Sequence, residues 1–214
     1  MRSPSMTAVT ALSLRGRVLC CGMPDLSPAP GAFVIETALG FFAVAWSARG
    51  LTRVVLPEPD ARKAMARLAG EAEGAAPVVA AQALPAEIAS LAEAVRRYAG
   101  GEAVDFGTVP VDLSRADEFG RAIYAAARRL GLGEVVTYGE LAAAAGHPGA
   151  ARETGAALGR NPVPLVVPCH RIVAAGGRLG GFSAPGGATT KMRLLAHEHA
   201  RFPARDAAQG SFAF

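Results

Sequence analysis

From Gly31 onward the apolar positions fall into three short runs, broken by glycine-containing gaps near 38–40 and 48–50. Runs of this length between turn residues predict a three-stranded β-meander over residues 31 to 57, GAFVIETALGFFAVAWSARGLTRVVLP. The period then changes. In DARKAMARLAGEAE (60–73) and PAEIASLAEAVRRYA (85–99) apolar residues recur three and four apart, which predicts two helices. The segment between them, GAAPVVAAQALP, reads as a low-complexity linker. Gly100–Gly101 closes the second helix, and VDFGTVPVDL (104–113) reads as an extended connector. This half carries no recognisable chemistry, and its expected role is architectural.

After residue 113 the pattern is helical. Ser114 with Asp117 has the spacing of a capping box and predicts a helix running to Leu130 and stopped by Gly131. Thr137 with Glu140 repeats the spacing and opens a second helix, YGELAAAA, punctuated by Gly146 and Pro148. A third, GAARETGAALG (149–159), is rich enough in Ala and Gly to let another molecule's backbone approach closely. Two short helices across a tight glycine turn fit a helix-turn-helix and an ordinary αα-corner equally well by pattern alone.

Charge shifts that balance towards DNA. Residues 152–214 hold eight Lys and Arg against three Asp and Glu, so the chain's formal charge of +4 comes entirely from its last third. A surface of that sign suits a polyanion. The chain's 214 residues suit one large domain or two small ones, and 51% hydrophobic content is enough to bury a core. No apolar run approaches a membrane span without a charge, Gly or Pro, and Arg15 and Arg17 interrupt the N-terminal run where a secretory signal would be apolar. Residues 1–30 are expected to form a poorly ordered tail. Three cysteines, two of them the adjacent Cys20 and Cys21, do not make a disulfide framework, and a reducing cytoplasm is the expected compartment.

The remaining cysteine, Cys169, lies within NPVPLVVPCHRIV (161–173), directly after its proline-rich apolar part. Pro162, Pro164 and Pro168 fix their own φ and restrict the residue before each, so Leu165–Val167 reads as a short buried strand that aims the thiol. A free thiol is mostly protonated near neutrality, and catalysis needs a base or a positive field to ionise it. His170 and Arg171 follow directly. On an extended strand neighbouring side chains point to opposite faces, so His170 reaches the sulfur only if the chain turns at Cys169, or through a water. Glu198, in KMRLLAHEHA, is the candidate to orient the histidine. The bland alternative is an inert buried cysteine. His197 and His199 flank Glu198 without the spacing of a zinc helix.

NPVPLVVPCHRIV closely resembles the active-site signature of the O6-alkylguanine-DNA alkyltransferases, also called methylated-DNA–protein-cysteine methyltransferases. GEVVTYGELAAAAGHPGAAR upstream and GGRLGGFSAPGG…K…LLAHE downstream extend the resemblance over residues 108–200, and TALGFFAVAWSARGLTRVVL fits the family's N-terminal hairpin more loosely. The resemblance implies an α+β chain: a small ribonuclease H-like α/β domain at 31–107 after the 1–30 tail, then a mostly helical, winged helix-turn-helix-like alkyltransferase domain at 108–214. It implies that Cys169 is the alkyl acceptor, that His170 takes its proton through a water, and that Glu198 orients His170. Asn161 would brace the turn before the active-site strand, and Tyr138 would hydrogen-bond the flipped guanine. Arg152 would fill the gap in the duplex, with Gly155 on the same helix and Arg171 beside the DNA. The backbone at Cys169 and Ile172, with Ser183, would read the base edge, and Phe182 would wall the cavity.

The implied partner is double-stranded DNA carrying O6-alkylguanine, with O4-alkylthymine as a further substrate left open. No cofactor or metal is implied: some relatives bind zinc in the N-terminal half, but no histidine precedes His147 here. A monomer is expected, with cooperative binding along DNA left open. Two alternatives stand beside suicide transfer. One is a non-catalytic lesion sensor on the same scaffold, whose relatives lack the acceptor cysteine. The other is a cysteine hydrolase built from Cys169, His170 and Glu198, which leaves Tyr138 and Arg152 without a role. The chain departs from the family pattern in reading ARETG for ARAVG, in placing Phe182 at a usual Tyr, and in a slightly longer SAPGGATTK loop.

Overall fold

The computed structural model describes residues 29–71 and 77–200; most of the expected tail, Cys20, Cys21 and Asp206 lie outside them. The meander forms as predicted. Strands β1 (Gly31–Thr37), β2 (Gly40–Ser47) and β3 (Gly50–Glu58) pair antiparallel in that order. Alternation along β2 sorts its two faces. Ala43 and Ala45 are small enough for helix α1 (Ala61–Glu71) to pack closely, with Ala64 and Leu68 against them. Phe42, Val44 and Trp46 face the other way, towards Ile88, Leu91, Val95 and Tyr98 of helix α2 (Ala86–Ala99). Both helices match the sequence pattern within two residues.

That second face is not closed by α2 alone. The same apolar cluster continues through Ile123, Leu141, Val163, Val167, Cys169, Ile172 and Leu194, so side chains from both sides of residue 107 share one core. Two backbone contacts fix the arrangement. The connector runs beside β3, with Leu51 N–H donating to Pro110 O at 2.9 Å and Asp112 N–H to Leu51 O at 2.8 Å. Gly50 sits here at φ +133°, and a Cβ would lie 2.6 Å from the Pro110 backbone, so only glycine fits. Further along, Val54 N–H donates to Pro162 O at 2.9 Å, tying the sheet directly to the cysteine segment.

Helix α3 is shorter than its pattern suggested, Glu118–Ala127 rather than 114 to 130. Asp117, not Ser114, is its N-cap, accepting from Gly120 N–H at 2.6 Å. The Ser114 hydroxyl instead accepts from Arg49 at 3.0 Å. At the other end Arg129 and Leu130 bond back three residues, to Ala126 and Ala127, so the chain tightens and leaves the helix early. Helix α4 (Tyr138–Ala144) opens with both bonds of the capping box, Glu140 N–H to the Thr137 hydroxyl at 3.2 Å and Thr137 N–H to the Glu140 carboxylate at 2.6 Å. Helix α5 (Ala151–Gly159) packs against α3 and α4, and α6 (Gly187–His197) follows the loop after the cysteine.

Thr154, one of the family departures, is fully buried in α5, and its hydroxyl has no hydrogen-bond partner. A buried, unanswered hydroxyl is costly where a methyl of the same shape is not. Thr154→Val is therefore expected to stabilise the chain by about 1 kcal/mol, read as a higher urea midpoint at an unchanged m-value.

The expected strand at Leu165–Val167 does not form. Pro164 and Val167 bridge each other across a tight turn, Val167 N–H donates to Val163 O at 2.9 Å, and Leu165 takes φ +74°. The apolar run correctly signalled burial, since Val163, Leu165, Val166 and Val167 are all within 3% of full burial. The segment is a turn and not an extended strand. Asn161 drives the reversal by bracing it from both ends, donating to Val167 O at 2.8 Å and accepting from Val163 N–H at 3.0 Å.

Candidate active site

Cys169 begins a single 3₁₀ turn, Cys169–Arg171, that continues into strand β5 (Ile172–Val173). The chain does turn at Cys169, while His170 Nε2 is taken by Glu198 and Nδ1 has no protein partner. The turn sends His170 into the core while the cysteine stays at a cavity wall. Strand β5 pairs in parallel with β4 (Val136–Thr137), which brings Tyr138, the next residue, beside the cysteine turn.

His170 is fully buried, and its Nε2 lies 2.8 Å from Glu198 Oε1. Glu198 caps the end of α6 and collects hydrogen bonds from four residues. Besides His170, Arg171 donates to both of its oxygens, at 2.7 and 2.9 Å, the Tyr98 hydroxyl donates at 3.0 Å, and Gly133 N–H reaches it at 3.4 Å. Burial alone would raise its pKa, but the hydrogen bonds and charges of His170 and Arg171 outweigh burial and hold it well below the carboxylate range. Glu198 is thus an anion that accepts, so the imidazole proton sits on Nε2 and Nδ1 carries the lone pair. Nδ1 is buried and has no protein partner. Burial pushes the His170 pKa below its ordinary value, with Glu198 opposing in part, so the ring is a neutral base at physiological pH.

Cys169 is 7% exposed, and burial pushes its thiol pKa up, while the Asn161 amide and the Lys191 charge pull the other way. Lys191 was not singled out from the sequence. It is fully buried in α6, donates to Ile172 O at 2.5 Å, and stands 5.7 Å from the centre of the Tyr138 ring. Burial pushes its pKa down to about 8. No salt bridge joins it to a carboxylate among the described residues, so a Cys169 thiolate would be its nearest counter-charge. A signal for it exists: Lys191, Leu194, Leu195 and Glu198 fall three, four and seven apart, on one buried face. Tyr98 was missed as well. It continues the stripe of Leu91 and Val95, and nothing in the stripe says that its hydroxyl crosses to Glu198.

Cys169 opens on a cavity of about 540 Å³ whose walls include Tyr138, Arg152, Gly155, Phe182 and Ser183. Tyr138 is half-buried, its hydroxyl lies 3.3 Å from Gly181 O, and burial followed by the Cys169 charge raises its pKa, so it is a proton-bearing donor. Arg152 is exposed in the first turn of α5. Two expected site residues lie elsewhere. Arg171 cannot face DNA: it is 6% exposed, with its guanidinium committed to Glu198 and to Leu130 O at 2.7 Å. Ile172 is fully buried outside the cavity walls, its N–H donating to Cys169 O and its carbonyl accepting from Lys191.

Glu153 is exposed beside Arg152. A carboxylate there repels phosphate, so Glu153→Ala is expected to raise affinity for unmodified duplex about threefold at low salt, the gain shrinking as salt rises. An unchanged affinity in a fluorescence-anisotropy titration would place the carboxylate away from the backbone.

The buried ionisable groups also set a pH dependence. Below 6.5, the ordinary histidine value, the unfolded chain takes up a proton that buried His170 resists, so stability falls with pH from there. Glu198, held ionised in the fold, adds a second loss as the pH passes below 4.5. Urea midpoints at pH 7.5, 6 and 5 are expected to fall monotonically; a flat profile would show His170 charging freely in the fold.

A cavity-facing cysteine followed in the chain by a buried imidazole–carboxylate pair is the arrangement expected of a cysteine-nucleophile protein. Among the described residues no helix is long and apolar enough to cross a membrane, and no cluster of three His, Cys, Asp or Glu could hold a metal. Residues 118–200 match the family described as 6-O-methylguanine DNA methyltransferase, DNA binding domain. A methylated-DNA–protein-cysteine methyltransferase of Mycolicibacterium paratuberculosis is 42% identical over 120 residues, covering 56% of this chain and 70% of the relative. The crystal structure of a Mycobacterium tuberculosis O6-methylguanine methyltransferase superposes with a TM-score of 0.62 at 31% identity, over 82% of this chain and 96% of that one. A Mycobacterium tuberculosis OGT structure in complex with DNA gives the same TM-score and identity, over 81% of this chain and 96% of that one. The chain belongs to the O6-alkylguanine-DNA alkyltransferase family.

Proposed function

We propose that the chain performs direct-reversal DNA repair as a methylated-DNA–protein-cysteine methyltransferase, moving the alkyl group of O6-alkylguanine onto Cys169 in one irreversible turnover. The observation that carries this is the His170–Glu198 pair, 2.8 Å apart and buried, directly behind a cysteine that faces a cavity with Tyr138 and Arg152. DNA is the partner. A guanine O6 is unreachable inside a duplex, so the base is extruded into the cavity while Arg152 takes its place in the stack.

The steps balance without a cofactor. His170 Nδ1 takes the thiol proton, relayed through solvent, and Lys191 and the Asn161 amide steady the thiolate. Sulfur attacks the alkyl carbon, the S–C bond forms, and the C–O6 bond breaks with its electron pair passing into the guanine ring. The Tyr138 hydroxyl gives its proton to the guanine ring, which leaves as a neutral base, and the proton taken up by His170 returns through solvent to the phenolate. The product is a thioether that no ordinary reductant reverses, so one molecule is consumed per lesion.

Residues 31–107 are proposed as a ribonuclease H-like structural domain and 108–214 as the winged helix-turn-helix-like domain that carries the site. A monomer in a reducing cytoplasm suits a lone acceptor thiol. The test is intact and peptide mass after incubation with excess duplex bearing O6-methylguanine. One added methyl on the peptide holding Cys169, with repair stopping at one lesion per chain, is the expected result. Continued turnover would instead identify a hydrolase, and an unmodified chain still bound to the lesion a sensor.

A further inference from the structure

One oxygen of Glu198 is shared by three donors. His170 Nε2 at 2.8 Å, Arg171 Nη2 at 2.9 Å and the Tyr98 hydroxyl at 3.0 Å all meet at Oε1, while Oε2 takes Arg171 Nε at 2.7 Å and the Gly133 N–H at 3.4 Å. A carboxylate oxygen offers two lone pairs, so three donors compete for it and each bond is weaker than it would be with two. Tyr98 is the odd member of the set. The other donors lie after residue 107, whereas Tyr98 reaches in from the last turn of α2. It is 1% exposed, and His197 Nε2–H donates to its carbonyl at 2.6 Å. Its ring packs edge-on against Phe106 and His197, with centroids 5.6 and 4.9 Å away. Burial, and then the Glu198 charge, push its pKa up, so the hydroxyl keeps its proton and can only donate to the carboxylate.

We propose that Tyr98 is a positioning residue for alkyl transfer: its hydroxyl draws charge from Glu198 Oε1 and so limits how strongly that carboxylate favours an imidazolium at His170. The inference rests on His170 serving as the base for Cys169. A base can take the thiol proton only while its ring is neutral. Burial, and then the charges of Arg171 and Lys191, disfavour imidazolium, and Glu198 opposes them. Sharing Oε1 with Tyr98 moves that balance towards the neutral ring. In Tyr98→Phe the ring packing stays and the hydroxyl goes. Oε1 is then left to Arg171 and His170, the bond to Nε2–H strengthens, and the pKa of His170 rises. As pH falls, the variant loses its base sooner than the natural chain does.

Two readouts on the full chain test this. The first is the single-turnover rate on a duplex carrying O6-methylguanine, taken as the ratio of the rate at pH 8 to that at pH 6. In Tyr98→Phe this ratio should rise about threefold or more over the natural chain's, the effect of roughly half a pKa unit at the base. The second needs no DNA: the His170 Nε2–H proton resonance, read by NMR at pH 7.5, should move downfield in the variant. Ile88→Val trims the core nearer the start of the same helix at a similar cost in stability, and should move neither readout. With Glu198→Gln and Arg171→Met already in place, adding Tyr98→Phe should also move neither, because the carboxylate that links the two residues is gone. An unmoved ratio and resonance in Tyr98→Phe would overturn the proposal. So would equal changes in Ile88→Val, which would make the effect one of stability, or changes that persist without Glu198. A natural chain that transfers no methyl would strike the assignment of Cys169, and the resonance would then decide alone whether Tyr98 governs His170.

Discussion

A Cys169→Ser chain is expected to bind a duplex carrying O6-methylguanine with affinity within about threefold of the natural chain and to transfer no methyl group. The substitution keeps the shape of the turn and changes only the acid and the nucleophile. An alcohol ionises far less readily than a thiol, and the base available is a neutral imidazole whose pKa burial has pushed below its ordinary value. Burial also raises the pKa of the Cys169 thiol, with the Asn161 amide and Lys191 opposing, but a thiol is still a far stronger acid than an alcohol. That imidazole is too weak a base for a hydroxyl. The rate should fall by at least about 10⁴-fold, on the order of what losing an essential nucleophile costs. Peptide mass and a binding titration on the same preparation check both halves. If the variant still cleared the lesion, Cys169 would not be the acceptor. If it lost binding as well, the sulfur would be part of the lesion contact.

Glu198→Gln should damage both the fold and the chemistry. The carboxylate accepts from the buried Arg171, which it holds in the fold, and from the buried His170, the proposed base. Neutralising it leaves a guanidinium at 6% exposure without its anion, which costs about 3–5 kcal/mol. It also removes the charge that fixes the His170 proton on Nε2, and alkyl transfer should fall about 10²-fold or more. A double variant separates the two effects. Glu198→Gln with Arg171→Met removes the stranded charge and should recover most of the urea midpoint while leaving transfer as slow as in the single variant. If transfer recovered along with stability, Glu198 would act only through the fold.

The two halves of the chain differ in how far local pattern fixes their structure. The meander and helices α1 and α2 were legible because alternation and helical spacing are local, and each element's burial agrees with its own pattern. The capping box at Thr137 was equally legible, since both of its bonds lie within four residues. Ser114 and Asp117 offered the same spacing and failed. Arg49, far away in sequence, took the serine hydroxyl, and no local rule anticipates that. The Leu165–Val167 run failed for another reason. Apolar residues and prolines report burial and stiffness, but a stiff buried segment can be a strand or a turn, and Asn161 decided for the turn.

At the site, the sequence determined the local juxtaposition on which the proposed chemistry rests: a thiol next to a histidine, held by prolines, with an acid in KMRLLAHEHA downstream. It also determined that Lys191 and Glu198 share a helix face, although only their burial makes that consequential. The tertiary structure decided which partner each charge would meet. Arg171 lies beside Cys169 in sequence and looked free to meet DNA, yet the 3₁₀ turn carries it inward to Glu198. Tyr98, 100 residues from Glu198, completes the same cluster from the half that appeared purely architectural. The reason is physical. A hydrophobic period fixes how an element faces the core, while a buried charge or hydroxyl takes whatever partner the packed core brings within 3 Å, and that depends on the whole chain.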